Sequence, residues 1–176
     1  LGPALVILVR HAESEWNRHY SQTRIDPGIP DPALTPDGRR QAEELALRLA
    51  AAGVDRLVAS PYRRALQTAT IVAHALDLAI SVEPLVRERC VFSCDLGTPR
   101  SQLAALWPAL DFAHLEELWW GQRDESEASL AERCARFRAA TDPLPDRHRV
   151  AVITHWGFIR ALTGREVGNA TLVRLT

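Results

Sequence analysis

The sequence predicts an α/β fold: helices sandwiching a mostly parallel central sheet in three layers. Two observations carry this. Residues 5–9 and 150–154 are near-continuous apolar runs rich in Val and Ile, the composition of strands buried on both faces. Along the rest of the chain, strand-like and helix-like segments alternate, as they do when crossover helices join parallel strands. The 176 residues are enough for one domain with a full core, and a single domain over residues 1–176 is expected.

The first strand, residues 5–9, ends in Arg10-His11. Ligands of open parallel sheets collect at the carboxyl ends of the strands, so this pair belongs at the working edge. Arginine presents a planar fork to anionic oxygens, and histidine is a nucleophile or acid/base near neutral pH. The pair suggests phosphate chemistry; it would equally suit a strand closing at the surface. Residues 18–34, with Pro27, Gly28, Pro30 and Pro32, read as an irregular loop, and Asn17 opens it. Thr35-Pro36 then gives an N-cap and a first-position proline to a helix whose Ala42, Leu45, Ala46, Leu49 and Ala50 share a face, with Gly53 as its stop.

Residues 57–59 make a short second strand. Ser60-Pro61 repeats the cap-plus-proline signal ahead of a helix carrying Ala65, Ala69, Val72, Ala73 and Leu76. Arg63 and Arg64 fall in its first turn, where the dipole disfavours cations; they hint at a bound anion, with solvated surface arginines as the plain alternative. Residues 80–82 form a third strand, and residues 84–99 are irregular. Thr98-Pro99 caps a helix reaching about Trp107, and residues 108–125 read as a covering loop. Residues 126–141 are helical, with Leu130, Cys134 and Phe137 on one face, before Pro143 and Pro145 break the chain. The strand at 150–154 is followed at once by His155, repeating the opening pattern of apolar strand and histidine. A helix begins at Phe158 and ends at Gly164, and residues 171–175 make a last strand.

Net charge is −1, which gives no pull toward nucleic acid or acidic lipid. All 21 basic residues are arginine, so Schiff-base and P-loop lysine chemistry is excluded. Cys90, Cys94 and Cys134 are an odd count without a disulfide framework, and Cys90 and Cys94 lack the further partners of a zinc site. No metal or other cofactor is expected. The N-terminal apolar run is too short for a membrane span and carries no basic leader, so a cytoplasmic protein is the expectation. Nothing in the sequence specifies an oligomeric state.

If the strands are parallel neighbours, Arg10-His11, Arg64 and His155 share one crevice. Two histidines and several arginines without an acidic cluster make an anion site, not a divalent-metal site. The blocks also carry a resemblance. Arg10-His11-Ala12-Glu13-Ser14-Glu15-Trp16-Asn17 resembles the Arg-His-Gly signature of the histidine phosphatase superfamily, the phosphoglycerate mutase-like proteins. Leu34-Thr35-Pro36-Asp37-Gly38, Ser60-Pro61-Tyr62-Arg63-Arg64-Ala65 and Val152-Ile153-Thr154-His155-Trp156-Gly157 are similar to the blocks that follow it, in family order. Glu88, in Val86-Arg87-Glu88-Arg89, matches the family's acid position.

The resemblance implies a phosphoglycerate mutase-like fold and a metal-independent phosphomonoester hydrolase. His11 would form a phosphohistidine, with Arg10, Arg64 and His155 gripping the phosphoryl oxygens and Asn17 adding a neutral donor. Glu88 would be the proton donor to the leaving group, with Glu13 in reserve; an ordinary solvated glutamate paired with Arg87 or Arg89 is the alternative. A small phosphorylated metabolite is the expected substrate. A phosphoprotein phosphatase, a phosphoglycerate-type mutase and a silent phosphate-binding module are the other readings. The chain departs from the family pattern at three places. Ala12 replaces a glycine and should be tolerated. Trp156 stands where a small residue is common and should narrow the pocket. Residues 90–95 replace a Gly-x-x-Glu-Gly run, and Phe92, Trp107, Trp119 and Trp120 are expected to give the pocket an apolar wall.

Overall fold

The computed structural model describes residues 6–175. Leu5, read as the start of the first strand, lies outside them. Five strands form one sheet: β1 (Ile7–Arg10), β2 (Arg56–Ala59), β3 (Ile80–Val82), β4 (Val150–Thr154) and β5 (Leu172–Arg174), in the order β3-β2-β4-β1-β5. The first four run parallel, and β5 is antiparallel to β1 at the edge.

Alternating side chains sort the sheet into two cores. Ile7, Val9, Leu57, Ala59, Ala151 and Ile153 pack with Leu45, Leu49, Leu66 and Val72 of α2 (Pro36–Ala51) and α3 (Arg63–Leu76). Leu8, Val152 and Val173 face the other way, onto Leu130 and Phe137 of α5 (Glu127–Thr141) and Phe158 and Ile159 of α6 (Trp156–Thr163). This is the expected α/β/α sandwich. Both faces of β4 are covered, which is why all five of its residues are buried and why it reads as a continuous apolar run.

Register decides what meets at the edge. Arg10 pairs with Thr154, and Ala59 with Ile153. The ladder continues one step past the strands: His11 N–H donates to the Thr154 carbonyl at 2.9 Å, and Ser60 N–H to the Ile153 carbonyl at 3.0 Å. The segments after β1, β2 and β4 therefore leave the sheet side by side.

Three local expectations need correcting. The supposed loop after Asn17 begins with a helix, α1 (Glu15–Thr23), that buries only Trp16 and so has no apolar periodicity to reveal it. Its signal is a capping box: Ser14 Oγ accepts from Asn17 N–H, and Asn17 Oδ1 accepts from Ser14 N–H. Ser60 caps nothing, because its hydroxyl is taken by His155; Tyr62 holds the N-cap position of α3, and Asp31 accepts from Arg63 N–H. Thr98 likewise caps no helix. It donates to Asp31 at 2.6 Å, and α4 (Arg100–Leu106) starts behind Pro99 without a side-chain cap. In both cases a buried tertiary partner outcompetes the local hydrogen bond.

The Thr35-Pro36-Asp37-Gly38 block turns out to clamp the strand-end loop. Thr35 Oγ1 accepts from Gly38 N–H and donates to Glu13 Oε1, and Glu13 N–H donates to Gln41. A Cβ at Gly38 would lie within 2.1 Å of the Glu13 carbonyl oxygen, so only glycine lets α2 approach the loop that follows His11.

Candidate active site

A cavity of about 700 Å3 opens at the carboxyl ends of β1 and β4. Arg10, His11, Asn17, Arg64 and Glu88 all line it. His155 is fully buried behind them, its ring 5.1 Å from that of His11. Arg63 and Glu13 are not among the lining residues; Glu13 is held instead by Thr35 and by Arg18 at 3.0 Å.

His11 is oriented by its own chain. Nδ1 lies 2.7 Å from the Ala12 carbonyl oxygen, which can only accept, so Nδ1 carries the proton and Nε2 keeps its lone pair. Arg64 Nε–H donates to that Nε2 at 3.3 Å. Burial, then the charges of Arg64 and Arg10, hold the His11 pKa well below the ordinary histidine range, against a smaller upward pull from the Ala12 carbonyl. Its resting form is the neutral imidazole. His155 is depressed in the same way, by burial and then by Arg64 and His11. Its Nε2 sits 2.7 Å from Ser60 Oγ, and its buried Nδ1 has no hydrogen-bond partner among the described residues.

Arg64 is held on three sides. Besides His11, it donates to the Cys94 carbonyl at 2.8 Å and to Asp95 Oδ1 at 3.2 Å, and its guanidinium lies 4.4 Å from the centre of the Tyr62 ring. Burial alone would lower its pKa, but Cys94, Asp95, Tyr62 and Asp31 carry it upward. Asp95 is 2 % exposed, and its other oxygen accepts from the N–H groups of Val91 and Phe92. One carboxylate thus ties the arginine of α3 to the segment after Glu88. Arg10 is anchored by a 2.7 Å bond to the Val167 carbonyl, and its Nε is buried without a partner among the described residues.

Glu88 is positioned by two backbone donors. Oε1 accepts from Arg89 N–H at 2.8 Å and Oε2 from Gly157 N–H at 3.0 Å. Burial and the nearby Asp95 push its pKa up against the pull of those N–H groups and of Arg64. A Cβ on Gly157 would stand 2.4 Å from Oε1, so the glycine is what lets α6 meet this carboxyl group. Asn17 has its amide oxygen saturated: Ser14 N–H, Ser14 Oγ–H and Asn169 Nδ2–H all donate to it. Its NH2 group makes no hydrogen bond to another described residue.

Sequence reading did not single out Asp95, Asn169, Ser60 or Tyr62 as site residues. Asp95 lies in the stretch where the family run is absent, and Asn169, which also binds the His11 carbonyl, stands outside every block. Ser60 and Tyr62 sit inside the arginine block, but their role depends on contacts across the fold. The expected apolar wall is also revised. Trp119 packs in the core with Trp107 and Trp120 against it, and only Phe92 of the four faces the cavity, joined by Trp16 and Tyr20. Trp156 lines the cavity. The methyl of Ala12 packs with Leu34, Ala42 and Ala170 and does not line it.

Comparison with known proteins agrees with the fold. The chain is 31% identical over 156 residues to a probable phosphoglycerate mutase of Proteus mirabilis, covering 85% of this chain and 68% of that one. It superposes on a mycobacterial glucosyl-3-phosphoglycerate phosphatase solved with VO3, at 23% identity and a TM-score of 0.66, over 99% of this chain and 91% of that one. A phosphoserine phosphatase mutant of Entamoeba histolytica, solved with phosphoserine, matches with a TM-score of 0.62 at 20% identity, over 95% and 87%. The sequence pattern of the histidine phosphatase superfamily (branch 1) matches residues 6–171, and the chain belongs to that superfamily.

Proposed function

We propose that the protein hydrolyses phosphomonoesters of small metabolites through a phosphohistidine on His11, without a metal. The observation that carries this reading is the state of His11. Its ring is neutral, its proton is parked on Nδ1 against the Ala12 carbonyl, and its Nε2 lone pair points to a buried guanidinium.

In the first step Nε2 attacks phosphorus and the ester P–O bond breaks. Arg64 turns its Nε–H from His11 to a phosphoryl oxygen, and Arg10 and the NH2 of Asn17 take others. The Nδ1 of His155, without a partner among the described residues, is a further hydrogen-bonding atom toward that end of the site. These groups hold the charge that spreads over the non-bridging oxygens. Glu88, whose pKa burial and the nearby Asp95 push upward, gives its proton to the leaving oxygen. In the second step the Glu88 carboxylate takes a proton from water, the water oxygen attacks phosphorus, and the P–N bond breaks. Phosphate leaves and His11 is again neutral.

The kinship with proteins named probable phosphoglycerate mutase supports a second reading, in which the phosphoryl group returns to the alcohol. A mutase must keep water from its phosphoenzyme. Here the cavity is rimmed by the exposed Ser21, Arg24 and Glu166, which favours hydrolysis. The test is phosphate release from p-nitrophenyl phosphate in excess EDTA, for the parent chain beside His11→Ala. EDTA-resistant release that disappears in the variant supports the proposal; release that survives His11→Ala overturns the mechanism. Interconversion of 2- and 3-phosphoglycerate faster than phosphate release would establish the mutase reading instead.

A further inference from the structure

We propose that the ester hydrolysed here carries a flat, weakly polar ring on its alcohol side, seated on Phe92. This rests on the phosphatase reading and names the class of its leaving group. The phosphoryl group needs only the inner end of a cavity of about 700 Å3, where His11, Arg64 and Arg10 lie. The remaining space is on the scale of a drug-sized ligand, and it belongs to the alcohol.

Three aromatic side chains cluster on the lining of that space. Trp16 and Tyr20, one turn apart on α1, stack with centroids 4.5 Å apart and planes 13° from parallel. Phe92 leans against both, 5.1 Å from Trp16 and 5.5 Å from Tyr20. Phe92 stays 37 % exposed and lines the cavity. The arrangement is built rather than incidental. Asp26 accepts from Trp16 Nε1–H at 3.0 Å and from Ser93 N–H at 2.8 Å, and also from the Ser93 hydroxyl. Asp95 holds Phe92 N–H at 2.9 Å. Two carboxylates therefore lock the rings of α1 and of the segment after Glu88 into one surface before any ligand arrives.

Several polar groups around the same space already make bonds within the protein. The Ser14 hydroxyl is on Asn17, Arg89 Nε is on the Glu125 carbonyl, the Ser21 hydroxyl is on the Arg18 carbonyl, and Glu166 pairs with Arg160. A ring on the alcohol finds an aromatic platform there. Arg24, 5.8 Å above the Tyr20 ring, adds a cation at the rim that a π-face also attracts.

The experiment compares kcat/KM for 2-phenylethyl phosphate and ethyl phosphate, whose alcohols are close in basicity, with p-nitrophenyl phosphate as a reference. The expected preference for the ring ester is about tenfold or more. Phe92→Ala and Phe92→Leu, the second of which keeps bulk but not the ring, should each shrink that ratio severalfold. Equal turnover of the two alkyl esters, a preference for ethyl phosphate, or a ratio untouched by both substitutions overturns the inference. So does turnover of p-nitrophenyl phosphate alone, which leaves the phosphatase reading standing. Turnover of none of the three overturns that reading, and the inference with it.

Discussion

The inner end of the cavity and its outer wall are built in different ways. At the inner end, His11, Arg64 and His155 come from segments leaving three adjacent parallel strands, so the ladder between β1, β4 and β2 sets where they stand. The outer wall is α1 and residues 91–95, short segments with little apolar burial of their own, held by the carboxylates of Asp26 and Asp95. The groups proposed to carry the chemistry sit on the part that cannot shift without unpairing the sheet. The ring surface proposed to select the alcohol sits on the part that hydrogen bonds and ring stacking position. Asp95 belongs to both, with one oxygen on Arg64 and the other on Val91 and Phe92.

Substitutions can pull the two regions apart, and the largest effect should come from the inner end. His11→Ala should lower kcat by about 10^4-fold or more, as removal of a covalent nucleophile does, measured by phosphate release. A loss within tenfold would mean that the strand ends do not carry the chemistry. Asp95→Asn should be felt in both regions. It leaves a buried guanidinium without its counter-charge, at about 3 kcal/mol of stability, and lets Arg64 drift, at about 10- to 100-fold in kcat/KM. Denaturant melts beside steady-state kinetics separate the two; a change in stability alone would place Asp95 in the wall only.

Gly157→Ala should displace the Glu88 carboxyl, because the new methyl would stand 2.4 Å from Oε1. We expect about tenfold or more in kcat with slow alcohols, and much less with p-nitrophenol, which leaves without a proton. The pH profile sharpens the same point. His11 must be neutral to attack, and its depressed pKa puts the acid limb of kcat/KM below 6.5. Glu88 must be protonated to donate, and its raised pKa puts the alkaline limb above 4.5. Glu88→Gln should abolish the alkaline limb and keep the acid one; an unchanged profile would remove Glu88 from the proton path.

The same histidines set a stability trend. Both have folded pKa values well below the ordinary 6.5, so the unfolded chain binds more protons than the folded one just below that pH. Stability is fully present above about 6.5 and is lost as pH falls below it, which thermal unfolding across pH 5–8 would register. The smallest expected effect is at the wall. Asp26→Asn should raise KM for a ring-bearing ester about threefold and hardly change kcat. A change in kcat instead would mean that wall and phosphate end are not separate.

Some of this was legible along the chain because it is local or periodic. Burial on both faces of β1 and β4 writes itself as apolar runs, and a histidine directly after each run marks the working edge. Arg10, Arg64 and Glu88 stand in short blocks whose spacing survives without the fold. Helix α1 was invisible because one buried tryptophan makes no stripe. The roles of Ser60 and Thr98 were misread because a cap and a tertiary hydrogen bond use the same hydroxyl, and only the fold decides which partner is nearer. Trp107, Trp119 and Trp120 looked like wall because aromatic content does not tell a core from a cavity.

Burial periodicity and neighbouring residue types are enough to specify the α/β sandwich, the two strand-end histidines and the arginines that accompany them. Tertiary structure alone decided that His11 rests neutral with its Nε2 lone pair on Arg64, that Asp95 couples that arginine to Phe92, and that Trp16 and Tyr20 complete the wall. Those facts depend on distances between residues up to 76 positions apart, from Trp16 to Phe92, and on the loss of solvent around them. Neither quantity exists in the chain until the sheet has paired and the helices have closed over it.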